Sequence, residues 1–249
     1  MGEGESGPAV PPLRPGSRMF KSGDVISYLD MCREEGVNLQ RGMNFRLRGG
    51  LSVILMSLRP GAPYADRIEE NGKILIYEGH DIPSFKDGPK PKSVDQPERN
   101  PCRGLTQNGL FYAAAHRYKA GRIESELVKV YEKIKSGIWV YNGKFKLVDA
   151  WREEINNRKV FKFKLELIDE DNISYFTDSK DIDHNRLIPT SVKLDVWKRD
   201  KGKCVRCGSH DNLHFDHIIP YSKGGSSLVA ENIQILCARH NIAKKDKIE

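Results

Sequence analysis

The chain has no long hydrophobic run. Among its 249 residues the longest apolar stretch, around Leu51–Leu58, is strand-sized, well short of the ~20 residues that span a bilayer, so no membrane association is expected. No secretory leader is expected either: Met1–Ser17 is rich in Gly and Pro with no apolar segment, and residues 1–19 are expected to form a flexible tail. The expectation is a cytoplasmic protein with reduced thiols. Cysteines number only five, an odd count that suits no disulfide framework. Acidic residues are outnumbered, 34 against 41 Lys and Arg, and the net charge of +7 favours a polyanionic partner, nucleic acid above all. With 38% hydrophobic and 30% charged residues the composition is that of a folded globular chain, not a disordered or fibrous one. No internal repeat is visible.

Hydrophobic periodicity then places the elements. Leu51–Leu58 predicts a buried strand broken by Pro60–Pro63, and Ile74–Tyr77 a second strand entered through Asn71-Gly72. Residues 79–104, rich in Pro, Lys and Gly, read as a long loop of the kind that often carries function. Thr106–Lys119 predicts a helix stopping at Gly121. Ile123, Leu127, Val130, Tyr131 and Ile134 fall at helical spacing and predict another, ended by Gly137. Ile138–Tyr141 and Lys144–Trp151 are expected to pair as a hairpin about Asn142-Gly143. Phe161–Leu167 alternates as a strand with one buried face. The polar stretch 171–189 is expected to link two domains, 20–170 and 190–249, and Thr190 or Ser191 to cap a short helix carrying Val192, Val196 and Trp197.

The richest chemistry lies near the C-terminus. Cys204, Cys207, Cys237 and His240 make a Cys₃His set with the spacing of a structural zinc site, a staple suited to a segment too short for an adequate core of its own. His210 and His214 are alternative fourth ligands. Between the Cys204/Cys207 pair and the Cys237/His240 pair lie His214-Phe215-Asp216-His217, then Pro220, Gly224-Gly225 and Asn232, with Asn241 closing the series. On a strand Asp216 and His217 point to opposite faces, so a site using both must sit at a strand end or bulge. On a helix Asn241 is turned about 100° from His240, so one helix can serve zinc on one side and a second ion on another.

This series strongly resembles the HNH endonucleases that carry a zinc knuckle. The resemblance implies a ββα-metal fold. It makes His217 the general base, Asp216 and Asn241 ligands of a catalytic Mg²⁺ or Mn²⁺, and Asn232 the residue that orients the catalytic loop. The last position holds Asn where the family often has His, and Asn is an acceptable oxygen ligand for a hard ion. Histidine, with an ordinary pKa of about 6.5, takes a proton from water near neutral pH. Lys198, Arg199, Lys201, Lys203, Lys223, Lys244 and Lys245 are candidate phosphate contacts.

Further upstream, Tyr64-Ala65-Asp66-Arg67-Ile68, Gly72, Tyr77-Glu78-Gly79, Leu105-Thr106-Gln107-Asn108 and Tyr141-Asn142-Gly143 resemble segments of SRA domains. These are PUA-like twisted β-barrels with flanking helices that flip 5-methylcytosine or 5-hydroxymethylcytosine into a pocket. A flipped cytosine needs aromatic faces and an acceptor for its amine, roles that fall to Tyr64, Tyr77 and Asp66, with Asp81 a rival acceptor. Together the expectation is an α+β protein of two domains. It would be a modification-dependent restriction endonuclease of bacterial type, cutting double-stranded DNA with modified cytosine as a homodimer. An HNH endonuclease indifferent to base modification and a non-catalytic zinc-containing DNA reader are the alternatives.

Overall fold

The computed structural model describes residues 20–47, 50–168, 187–220, 223–245 and 247–248. The expected tail over 1–19 and most of the expected linker lie outside them. No described helix is long and apolar enough to cross a membrane.

The N-terminal part is an eight-stranded mixed sheet with two helices. In chain order it comprises β1 (Val25–Ser27), α1 (Tyr28–Glu35), β2 (Met43–Asn44), β3 (Ser52–Met56), β4 (Arg67–Glu69), β5 (Ile74–Glu78), α2 (Gln107–Lys119), β6 (Glu126–Lys135), β7 (Ile138–Ile155) and β8 (Arg158–Leu167). The strand order is β2-β3-β6-β7-β8-β5-β4, with β1 paired to β7. Both helices start at hydroxyl caps: Ser27 accepts from the Asp30 amide and Thr106 from the Gly109 amide. The sheet curls on itself, because Met43, Ile54 and Met56 from one end share a core with Leu75 and Tyr77 from the other, closed by Phe111, Phe161 and Phe163. Asp66 clasps the seam: its carboxylate accepts from the Ser57 amide at 3.3 Å and the Glu78 amide at 3.0 Å, joining the ends of β3 and β5.

Three sequence expectations are corrected here. Residues 126–135 form a strand, not a helix. Val128, Val130, Glu132 and Ile134 alternate inward, and pairing with β3 and β7 overrides a helical spacing that five apolar positions satisfied by coincidence. Asn142-Gly143 is no hairpin turn either. β7 runs straight through it, and Val130 pairs with Gly143 while Tyr131 pairs with Tyr141, so Asn142 is the extra residue of a β-bulge, with Gly143 at φ 101°. The true β7–β8 turn is Asn156-Asn157, both at positive φ as a type I′ turn requires. Nor is β8 buried on one face only, since Lys162 is 1% exposed and neutralised by Glu78 at 2.8 Å.

The C-terminal part comprises α3 (Thr190–Arg199), β9 (Leu213–His217), β10 (Ile233–Cys237) and α4 (Ala238–Lys244). β9 and β10 pair antiparallel, with His217 opposite Ile233 and Leu213 opposite Cys237. Val192, Val196, Phe215, Ile233 and Ile235 form its core. Thr190 does not cap α3; its hydroxyl bonds the Glu132 carboxylate instead.

Candidate functional site

β9 ends at Asp216 and His217, the strand-end placement that lets both serve one site. Asn232 ties together the described parts of the loop that follows. Asn232 accepts from the Ile219 amide at 2.8 Å through Oδ1 and donates through Nδ2 to the carbonyls of Ile219 and Ser226. The same loop needs glycine at 225, where a Cβ would stand 1.8 Å from the Ile219 carbonyl oxygen. The loop returns Ser227, whose hydroxyl lies 2.7 Å from His217 Nε2 and orients the imidazole. Asp216 Oδ2 receives Gln234 Nε2 at 3.3 Å and Lys244 Nζ at 3.0 Å, and Lys244 also donates to the His217 carbonyl at 2.5 Å. Asn241 precedes Lys244 by three residues on α4, close to one helical turn. Asp216 and Asn241 are oxygen donors suited to a hard divalent ion.

Lys244 is 1% exposed, which removes it from the candidate phosphate contacts. Arg199 is also occupied, on Asp200 and the carbonyls of Ala230 and Ile233. Lys198, Lys201, Lys203, Lys223 and Lys245 remain exposed.

The Cys₃His set is assembled. Its four ligand atoms all lie within 4.8 Å of one another. Two sulfurs at ~2.3 Å from a tetrahedral zinc stand roughly 3.8 Å apart. The Cys207 and Cys237 sulfurs are 3.8 Å apart, and His240 Nδ1 is 3.4 Å from Cys204 Sγ and 3.3 Å from Cys237 Sγ. Burial opposes ionisation of Cys204, but backbone N–H groups of Cys237, Cys207 and Arg206 and the His240 ring outweigh it and bring the thiol down to about 6. The alternative ligands are used elsewhere: His210 Nδ1 meets the Gly202 carbonyl and His214 pairs with Asp24.

A second site lies in the sheet. Tyr64, Asp66 and Tyr77 line one cavity of about 630 Å³, with Met56 at the end of β3 and Ser57 just after it, Arg41 before β2, and Lys133 and Trp139 from β6 and β7. That volume falls in the range of small-molecule pockets, about 300–1,000 Å³. Tyr64 is half-buried, with Lys92 Nζ 4.2 Å from its ring centre. Tyr77 is 2% exposed and its ring belongs to the core. Burial pushes the Asp66 carboxyl up to about 7, more than its two backbone hydrogen bonds pull it down. Asp81 is not at the cavity; Arg158 at 2.8 Å, Lys92 at 3.0 Å and Gln96 at 3.1 Å hold it. The long 79–104 loop is pinned by buried side chains. Gln96 bridges the Gly79 carbonyl and the Phe161 amide, and Arg158 donates to the carbonyls of Pro91 and Val94.

Residues 204–247 match the model of the HNH endonuclease family. The match spans the stretch that holds the Cys₃His set, Asp216, His217, Asn232 and Asn241. HNH nucleases use divalent metals, and the Cys/His cluster beside the site is one that zinc fits. No curated protein sequence matches the chain. Among solved structures, the chain is similar to the SRA domain of SUVH5 in its complex with methylated CHH DNA, at 22% identity and TM-score 0.42 over 60% of this chain and 89% of that one. The same domain bound to fully hydroxymethylated CG DNA matches at 22% and TM-score 0.39 over 65% and 93%. The DNA modification-dependent restriction endonuclease AspBHI matches at 17% and TM-score 0.39 over 57% and 67%.

Around the HNH site the sequence reading missed Ser227, Gln234 and the inward turn of Lys244. None falls in a motif; each is found only through the β9–β10 register and the fold of the 218–232 loop.

Proposed function

We propose that the protein is a modification-dependent DNA endonuclease, in which residues 20–170 capture a flipped modified cytosine and residues 190–249 hydrolyse the phosphodiester backbone. The observation that carries the reading is the cavity lined by Tyr64, Asp66 and Tyr77 in the same chain as an HNH domain. Tyr64 offers a face for the base. The Asp66 oxygens each keep a lone pair beyond the one used by a backbone N–H, enough to accept the cytosine amine. In the HNH domain His217, held by Ser227, removes a proton from the attacking water, and Asn232 keeps the loop that aligns them. Asp216 and Asn241 would hold Mg²⁺ or Mn²⁺, which supplies charge stabilisation at the scissile phosphate. The exposed lysines 198, 201, 203, 223 and 245 meet phosphates. Cutting both strands calls for two active sites or two visits, and we read it as the work of a homodimer on DNA.

Asp66 makes the reading testable through pH. Its raised pKa means that the folded protein holds the proton more tightly than the unfolded chain. Stability from this group is full below about pH 4 and is lost as pH rises through about 7. Amine acceptance has the opposite sign, because the carboxylate accepts more strongly than the acid. Wild-type affinity for a 5-methylcytosine duplex should therefore rise from pH 6 to pH 8 while stability falls by roughly 4 kcal/mol between pH 4 and 8. Asp66→Asn should flatten both. Fluorescence anisotropy and urea titrations across that range measure them; an affinity with the same pH profile in wild type and variant would remove Asp66 from recognition.

A further inference from the structure

The two functional parts share a wall. Alternation along β6 and β7 sends neighbouring side chains to opposite sides. Lys133 and Trp139, a cross-strand pair, line the cavity. Their neighbours Ile134 and Val140 are built into the core of the HNH part, packed with Ile188, Val192, Val196 and Phe215. Glu132, paired with Val140, is fully buried and faces α3. It receives Lys193 Nζ at 2.7 Å, the Thr190 hydroxyl and Asn142 Nδ2 at 3.0 Å. Lys193, 1% exposed, also donates to Asn142 Oδ1 at 2.7 Å, and Asn142 Nδ2 lies 3.8 Å from the sulfur of Met56, a cavity-lining residue. A second tie runs through β9: the Phe215 amide donates to the Gly23 carbonyl, whose own amide donates to Tyr141, and His214 pairs with Asp24.

A buried ion pair closed by the Thr190 hydroxyl and the Asn142 amide is rigid, because separating it strands a charge away from water. We infer that the Lys193–Glu132–Asn142 cluster holds the nuclease at one fixed offset from the cavity, so that the cut falls in one register from the captured base. Lys193 and Glu132 are then positioning residues, and cleavage register is set by this interface, not by the segment joining the parts. The inference rests on the proposed function for its DNA readout, though the docking itself does not.

The experiment maps cut positions on a duplex bearing a single 5-methylcytosine with the full chain and Mg²⁺. Wild type is expected to cut at one offset. A flexible Gly/Ser insertion within residues 169–186 should leave that offset unchanged. Lys193→Ala should scatter it and lower stimulation by the modified base about tenfold. The neutral pair Glu132→Gln with Lys193→Met should restore the single offset. An offset that moves or broadens on insertion, or that stays single in Lys193→Ala, would overturn the inference. Without DNA, amide exchange at residues 132–142 and 213–217 should quicken together in Lys193→Ala. Unchanged exchange there defeats the docking itself, whereas equal cutting of unmodified duplex defeats only the modified-base reading.

Discussion

His217→Ala is expected to lose cleavage by about 10²–10⁴-fold, the usual contribution of a general base. The ring sits half-buried at the end of β9, hydrogen-bonded to Ser227, and the strand is secured by β10 and by the Asn232 clamp. The substitution should therefore leave duplex affinity and zinc content as in wild type. Single-turnover cleavage with Mg²⁺ or Mn²⁺, beside anisotropy on the same duplex, separates the two effects. A variant that still cut at the wild-type rate would take the base role away from His217.

Zinc removal should have a comparable effect by another route. The β9–β10 hairpin and its two helices bury a short list of side chains, and the Cys₃His cluster joins the loop at Cys204 and Cys207 to the start of α4. Structural zinc contributes apparent binding free energy on the order of 10–16 kcal/mol in finger-sized peptides, more than a small core supplies. One zinc per chain is expected by elemental analysis. Cys237→Ser, or a strong chelator, should abolish amide protection through residues 204–245 and with it all cleavage. The sheet keeps its own core around Phe111, Phe161 and Phe163 and should stay protected. Full protection of 204–245 without metal would show the cluster to be dispensable.

The C-terminal site was far more legible in the sequence than the N-terminal one, for a physical reason. Metal ligation and phosphodiester chemistry demand particular atoms at short spacings, so Cys204, Cys207, Asp216, His217, Asn232, Cys237 and His240 announce themselves in order. The choice of His240 over His210 and His214 needed coordinates, because only the fold reveals that Asp24 and the Gly202 carbonyl occupy the other two. In the sheet, Tyr64, Asp66 and Tyr77 were legible as a group. Their neighbours Arg41, Lys133 and Trp139 were not, being brought in from distant strands. The misread of 126–135 has the same origin. Its apolar spacing fits a helix as well as a strand, and only the non-local partners β3 and β7 decide between them. The Asn142-Gly143 signal was real but ambiguous, since a glycine at positive φ serves a bulge as well as a turn. Lys244 illustrates the limit of reading charge as surface: it is buried against a carboxylate that lies far away in sequence.

The most direct measurement of the central claim is cleavage of three matched duplexes, carrying cytosine, 5-methylcytosine or 5-hydroxymethylcytosine at one position, by the full chain with Mg²⁺ or Mn²⁺ and with His217→Ala as control. The expected result is cutting of the modified duplexes alone, lost in the variant. Equal cutting of all three would contradict the modified-base reader, and no cutting by wild type with either ion would contradict the nuclease.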